Sequence, residues 1–455
     1  MKVLDVAKAE TAPLATDAQA VPAQAASSAG YAFYVIALLT LINITASIDR
    51  RVVNVVAEPI RVELHLADWQ IGMMTGLAFA IFYAALGFPI ARLSDRGNRP
   101  LIITGSLAIW SAFTTLSGTA ANFVQLFLYR MGVGVGEAGS SPPAQTLIMD
   151  YVPKERRSSA MAFWSMGVPL GTLFGFPLGG LVADHYGWRA AFFVVGLPGL
   201  LLAVITYFTM RETRSQLRVD VRAAKASQPG WRAMLKVLIT KRTYWILLVN
   251  TAVKMINTYG LQAFVISFFL RAHKHSVAAA AASFGLKSVG FLGITVGVIS
   301  GVCGALSIFL GGWIADRGAA KDVRNTMLAP AYGGLIAMPL TIMALSIQNV
   351  WLALACFSVP YLLNGFGYGP VTAVMQGVVP ANMRATSSAV ALFLEILIGQ
   401  AAGPVLVGLM SDWFAHSLGA AEGLRWSLIC SSCLAIPCAA LYLTARKTMR
   451  EDMES

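Results

Sequence analysis

Twelve long apolar stretches constrain this chain more than any other feature. They run over about 31–57, 69–92, 100–119, 122–152, 158–183, 189–210, 243–270, 287–314, 326–347, 350–379, 385–412 and 424–445. Each reaches the roughly 20 residues that cross a bilayer as a helix. Mean hydropathy is +0.66 and only 12% of the 455 residues are charged, about half the share usual in a soluble domain. Hydrocarbon offers no partner for backbone N–H and C=O groups, so a span must satisfy them internally, as a helix does. The expectation is an all-α membrane protein of twelve transmembrane helices.

The breaks between the stretches set the orientation. With both termini in the cytoplasm, 24 Lys and Arg fall in cytoplasmic segments and six in outer loops: Arg61, Arg189, Arg271, Lys274, Lys287 and Arg425. That asymmetry is the positive-inside pattern. The net charge of +12 is therefore a topology signal, with contact to anionic lipid headgroups, rather than a sign of nucleic-acid binding. The Ala-rich residues 1–30 lack a signal-peptide core and read as a disordered cytoplasmic tail. The longest polar break, 211–242, reads as a cytoplasmic linker between spans at 31–210 and spans at 243–445, and 446–455 as a second tail. The five cysteines and five histidines show no metal-ligand spacing, and Cys430-Ser-Ser-Cys433 reads as two small packing residues. No metal and no bound cofactor are expected.

The two groups of six spans echo each other. Asp95-Arg96 after span two recurs as Asp316-Arg317 after span eight. Pro153 with Arg157 recurs as Pro380 with Arg384. The Asp184 that ends span five recurs as Asp412 at the end of span eleven. The offsets are 221, 227 and 228 residues, the length of half a transporter built from two six-helix bundles.

The Asp-Arg loop resembles a signature of the major facilitator superfamily, Gly-x-x-x-Asp-Arg-x-Gly-Arg. Here Ala91 and Asn98 replace its two glycines, while Asp95, Arg96 and Arg99 stand. The Asp-Arg-x-Asn-Arg form resembles the spinster branch. So do Ile48-Asp49-Arg50, Gly134-Val-Gly136-Glu137-Ala-Gly139 and the stretch from Pro153 to Arg157. The resemblance implies the major facilitator fold, alternating access, an amphipathic anionic lipid as cargo, of lysophospholipid or sphingoid-phosphate type, and a place in a bacterial inner (plasma) membrane. It also implies proton coupling at the positions of Asp49, Arg50 and Glu137.

The residues give an independent reason to single out the same positions. Ionisable side chains within spans are costly and mark functional sites by default. Asp49, Arg50 and Arg51 interrupt span one, and adjacent residues diverge by about 100° around a helix, so the three cannot share a face. Counted from the outer ends of their spans, Asp49 and Arg130 are level, which makes them an expected ion pair; Arg50 and Glu137 are a second, longer-range one. The stretch from Arg130 to Pro143, with four glycines and two prolines, reads as broken helix covered by neighbours or by a wet cavity. Burial opposes the charge on Glu137 and an arginine favours it. If that balance differs between two conformations, Glu137 carries a proton across, with protons as the only coupling ion. Otherwise it forms a permanent structural pair.

Arg50 and Arg130 are candidate ligands for an anionic headgroup, since guanidinium holds phosphate or carboxylate bidentately. In the second half Lys254, Glu395, Asn257 and Tyr368 lie at cavity depth. Lys254 and Glu395 either pair or meet the substrate. Asp95, Arg96, Arg99, Asp316, Arg317, Arg157 and Arg384 lie at inner span ends and read as a conformational latch. Gly167, Gly171, Gly175 and Gly179 form a small-residue stripe for close helix packing. The whole describes a monomeric secondary transporter. A proton-coupled symporter of a small organic anion is the alternative. A receptor or an intramembrane enzyme is disfavoured, because no span carries a nucleophile, a paired-carboxylate or a metal arrangement and no large soluble domain is present.

Overall fold

The computed structural model describes residues 29–213, 239–380 and 383–454. The expected tail therefore lies outside the described residues except for 29 and 30, which already belong to the first helix, and most of the expected linker lies outside them too. The described chain is helical throughout. Its main elements are α1 (Ala29–Val55), α2 (Ala57–Glu63), α3 (Asp68–Ser94), α4 (Arg99–Ser117), α5 (Phe123–Glu137), α6 (Ser141–Tyr151), α7 (Lys154–Tyr186) and α8 (Trp188–Thr209) in the first half. The second half has α9 (Arg242–Ala272), α10 (Lys274–Ala282), α11 (Ser288–Ala319), α12 (Val323–Ser346), α13 (Val350–Gly377), α14 (Ser387–Leu418) and α15 (Ala420–Asp452).

Among the described residues, 11 helices are long and apolar enough to cross a membrane. The stretch 122–152 is not among them because it is two helices, α5 and α6, joined by the turn at 138–140. The cause is local: Pro142 and Pro143 cannot donate to a helix ladder, so α6 starts afresh with prolines in its first turn. Residues 446–454, expected as a tail, continue the last helix. Their Asp452 carboxylate accepts Thr243 N at 2.6 Å and Lys241 Nζ donates to Asp452 O at 2.8 Å, so this end is tied to the start of α9.

The expected glycine stripe is present and faces α1. A Cβ on Gly171 would lie 2.8 Å from Ile44 O, and one on Gly175 would lie 3.0 Å from Ile48 Cα and from Arg51 Cβ. Only hydrogen fits at these crossings. The same device recurs in the second half: a Cβ on Gly403 of α14 would lie 2.5 Å from Ile256 O of α9. The two halves meet along two further glycine seams. Gly293 and Gly297 of α11 abut Phe176 and Pro177 of α7, and Gly72 and Gly76 of α3 abut Pro404 and Gln400 of α14. The seams join positions that the sequence repeat relates.

The core explains the shape. The main hydrophobic cluster takes residues from both halves, for example Val52, Val56 and Phe176 with Phe264, Phe268 and Val296, and a small one joins Ala80 and Ala84 with Ile396 and Ala401. Two others stay within one half each: Val35, Leu39, Trp110 and Leu147 in the first, Tyr244, Met327, Val374 and Met449 in the second. The main cluster lies at the face where α1 ends and α9 ends. The separate clusters lie at the opposite face, with Ala29 and Glu454. The halves are thus joined at one face and parted at the face carrying the chain ends.

Candidate transport site

Clamped by α7, helix α1 presents its three charges in three directions. Asp49 faces α4 and α5: Arg130 Nη1 donates to its Oδ2 at 2.9 Å and Thr114 Oγ1 to its Oδ1 at 2.8 Å. Arg50 reaches Glu137 at the end of α5, Nη1 to Oε2 at 2.9 Å, and its guanidinium lies 5.7 Å over the Phe79 ring. Arg51 turns to α7, where its Nε donates to Thr172 Oγ1 at 3.1 Å. Both pairs expected from depth along the spans are therefore made. They differ in access. Asp49 and Arg130 are each 1% exposed and face each other, so neither reaches open space here. The Arg50 side chain is 30% exposed while Glu137 is 2%, so the second pair has one partly exposed member and one buried behind it. Glu137 Oε1 and Arg130 Nε are buried without a hydrogen-bond partner.

The glycines around these charges serve close approach between helices. A Cβ on Gly134 would lie 2.5 Å from Phe79 O, and one on Gly136 would lie 2.5 Å from Trp110 N. Ser140 Oγ donates to Glu137 O at 3.0 Å and so satisfies a carbonyl that the helix break exposes. The break sets Glu137 at a helix end held by α3 and α4.

In the second half, Lys254, Tyr368 and Glu395 line a cavity of about 230 Å³ together with Thr251, Ser387 and Ser388. Lys254 and Glu395 form no ion pair. Lys254 Nζ donates instead to Asn364 O at 2.6 Å, a carbonyl left open where α13 tightens into a 3-10 turn at Gly365–Gly367. Asn257 accepts Ser431 Oγ at 3.0 Å, tying α9 to α15. Glu395 opens a π-helical turn, Glu395–Gln400, and α3 holds another, Met73–Leu77. The two meet where Gly76 abuts Gln400. Such turns recur at functional sites.

The expected latch is not assembled. Arg99 is fully buried and braces its own half, with Nη1 on Asp150 at 2.6 Å and Nη2 on Glu212 at 2.5 Å and Thr213 at 2.9 Å. Arg157 Nε donates to Val152 O at 3.4 Å and Arg384 Nε to Gln376 O at 3.0 Å, each within its half. The Arg317 guanidinium stacks 3.6 Å over Trp313 of its own helix, and Asp316 makes no ion pair among the described residues. The side chains of Asp95 and Arg96 lie outside the described residues.

The closed face carries a network that the sequence reading missed. Arg271 of α9 bridges Glu58 of α2 and Asp68 of α3, each at 2.7 Å. Arg61 adds to Glu58 at 2.8 Å, and Ser411 Oγ donates to Asp68 Oδ2 at 2.6 Å. Asp412 of α14 accepts the N–H groups that open α3, Asp68 N at 3.0 Å and Trp69 N at 2.8 Å. Asp184 of α7 does the same for α11, accepting Gly290 N at 2.5 Å, and Lys287 Nζ donates to Asp184 O at 2.6 Å. A carboxylate at a helix N-terminus meets both free N–H groups and the positive end of the dipole. Each cap crosses between the halves, and the two caps occupy repeat-related positions. The repeated Asp184 and Asp412 were the available signal.

Comparison with known proteins places this geometry in a family. The Major Facilitator Superfamily model matches residues 39–397. An MFS-type efflux pump of Mycolicibacterium smegmatis is 30% identical, covering 93% of this chain and 94% of that protein. Protein spinster homolog 1 of Mus musculus is 26% identical over 88% of this chain and 78% of its own length. A crystal structure of a bacterial homologue of the human lysosomal transporter spinster, described as inward-facing and unoccupied, superposes with a TM-score of 0.82 at 31% identity, over 93% of this chain and 99% of that one. The chain belongs to the Major Facilitator Superfamily, as a spinster-like membrane transporter and not an enzyme.

Proposed function

We propose that the protein is a monomeric secondary transporter of a bacterial inner membrane, with both termini cytoplasmic. It has twelve spans, counting α5 and α6 together as the fourth, and two bundles at 31–210 and 243–445. It moves an amphipathic anionic lipid, of lysophospholipid or sphingoid-phosphate type, by alternating access. The parted inner face and sealed outer face make this the inward-open state, and the inner Asp-Arg positions close as a latch in the other. Protons couple through Glu137. The observation that carries the reading is the Arg50–Glu137 pair: one member partly exposed, the other buried with a carboxylate oxygen that has no partner. An anion arriving near Arg50 weakens its hold on Glu137, and a Glu137 that loses that hold is stabilised by a proton.

The lipid assignment is supported by the spinster relatives, among them a probable sphingolipid transporter spinster homolog 1 of Arabidopsis thaliana at 23% identity. A hexuronate transporter of Bacillus subtilis, 24% identical over 83% of this chain, favours the small-anion alternative. Flux from proteoliposomes separates them. With a pH gradient imposed, protein-dependent movement of labelled lysophosphatidate and none of labelled glucuronate is expected. Glucuronate flux without lipid flux would replace the lipid reading with the alternative.

A further inference from the structure

Four cationic side chains lie deep in the spans, and three are matched. Arg130 has Asp49, Arg50 has Glu137, and Lys254 has the carbonyl of Asn364. Arg51 is the exception. It is half-buried, and its one hydrogen bond uses Nε, to Thr172. Neither Nη nitrogen has an acceptor among the described residues, and neither is sealed from open space. Among the described residues no carboxylate lies within ion-pair distance of it. Its chain neighbour Arg50 adds a second positive charge beside it. Gly175 fixes its position, because any side chain there would collide with the Arg51 stem.

A guanidinium at membrane depth with no counter-charge is unfavourable, and the positive charge of Arg50 beside it makes it more so. An arriving anion relieves both. We propose that Arg51, oriented by Thr172, binds the anionic group of the substrate, a phosphate or a carboxylate. The inference rests on the transport reading above and assigns the headgroup to a residue other than Arg50. The work divides accordingly. Arg50 is held by Glu137 and answers to its protonation, while Arg51 keeps its planar fork free for two parallel N–H···O bonds. Thr172 orients the fork from behind through Nε.

The test uses the full chain in detergent with three probes: 1-oleoyl lysophosphatidate, the uncharged 1-oleoyl glycerol with the same tail, and glucuronate. Arg51→Gln is expected to weaken lysophosphatidate binding about 10- to 100-fold, the range for a lost hydrogen bond to a charged group, and to leave oleoyl glycerol unchanged. Arg51→Lys is expected to lose less, keeping charge but not the fork. Thr172→Val, which releases the fork from behind, is expected to weaken lysophosphatidate alone, and carries the test if Arg51→Gln does not fold. Unchanged lysophosphatidate affinity, or equal loss for both oleoyl probes, would overturn the site and make Arg51 a packing residue. If the wild type binds glucuronate and not lysophosphatidate, and Arg51→Gln loses it, the site stands and the lipid reading falls. A wild type that binds neither anion overturns the site.

Discussion

Arg130→Ala is expected to destabilise the protein by about 3–5 kcal/mol, the usual result of removing one partner from a buried ion pair. The change leaves the Asp49 carboxylate in a dry site between α1, α4 and α5, with one hydroxyl, from Thr114, as its remaining donor. Neutralising both members, as Asp49→Asn with Arg130→Met, is expected to recover most of the loss, because the desolvation penalty then disappears with the charges. Arg324→Ala is the control. Its pair with Asp322 is 41% and 36% exposed, and exposed pairs contribute about 0–1 kcal/mol. Thermal unfolding of the purified variants in one detergent checks all three. A melting temperature for Arg130→Ala equal to that of the control would show that the pair does not hold the first half together.

Arg271→Ala is expected to shift the closed outer face toward opening by about 30-fold or more, since truncating one member of a buried charge pair between packed surfaces costs 2–5 kcal/mol. Arg271 has a side chain 7% exposed and sits between Glu58 and Asp68, at 9% and 5%. Without it two buried carboxylates face each other with only Arg61, which is 4.0 Å from Asp68. The backbone caps from Asp412 and Asp184 remain, so the seam is weakened and the fold is not lost. Spin labels at the exposed positions Val62 and Leu418, one on each half, in a background without the five cysteines, report the separation. A new long-distance population in Arg271→Ala is expected. A distribution identical to the parent would mean that the glycine seams alone hold the face closed.

What the sequence made legible follows from depth and periodicity. Asp49 with Arg130 and Arg50 with Glu137 were readable because a buried charge needs a partner and rise per residue fixes its depth. The stripe from Gly167 to Gly179 was readable because a period of four lies on one helix face. The break after Glu137 was readable from two adjacent prolines. The outer network was not. Glu58 and Arg271 are 213 residues apart, and a charge near a span end looks the same in sequence whether it marks topology or seals a gate. Arg99 misled for a related reason: its motif lies at an inner end, yet its partners Asp150 and Glu212 are in its own half. Lys254 and Glu395 invited a pairing because they are opposite in sign and similar in depth. A carbonyl left open at Asn364 by the 3-10 turn, invisible in the sequence, took the lysine instead.

The central claim is that Glu137, behind Arg50, is where proton movement meets transport. Lysophosphatidate flux in proteoliposomes with and without an imposed pH gradient, for wild type and Glu137→Gln, tests it most directly. The amide keeps the shape and a hydrogen bond to Arg50 but cannot exchange a proton. The account predicts that wild-type flux responds to the gradient, while the variant folds and inserts yet shows no response. A Glu137→Gln protein whose flux follows the gradient as the wild type does would contradict it.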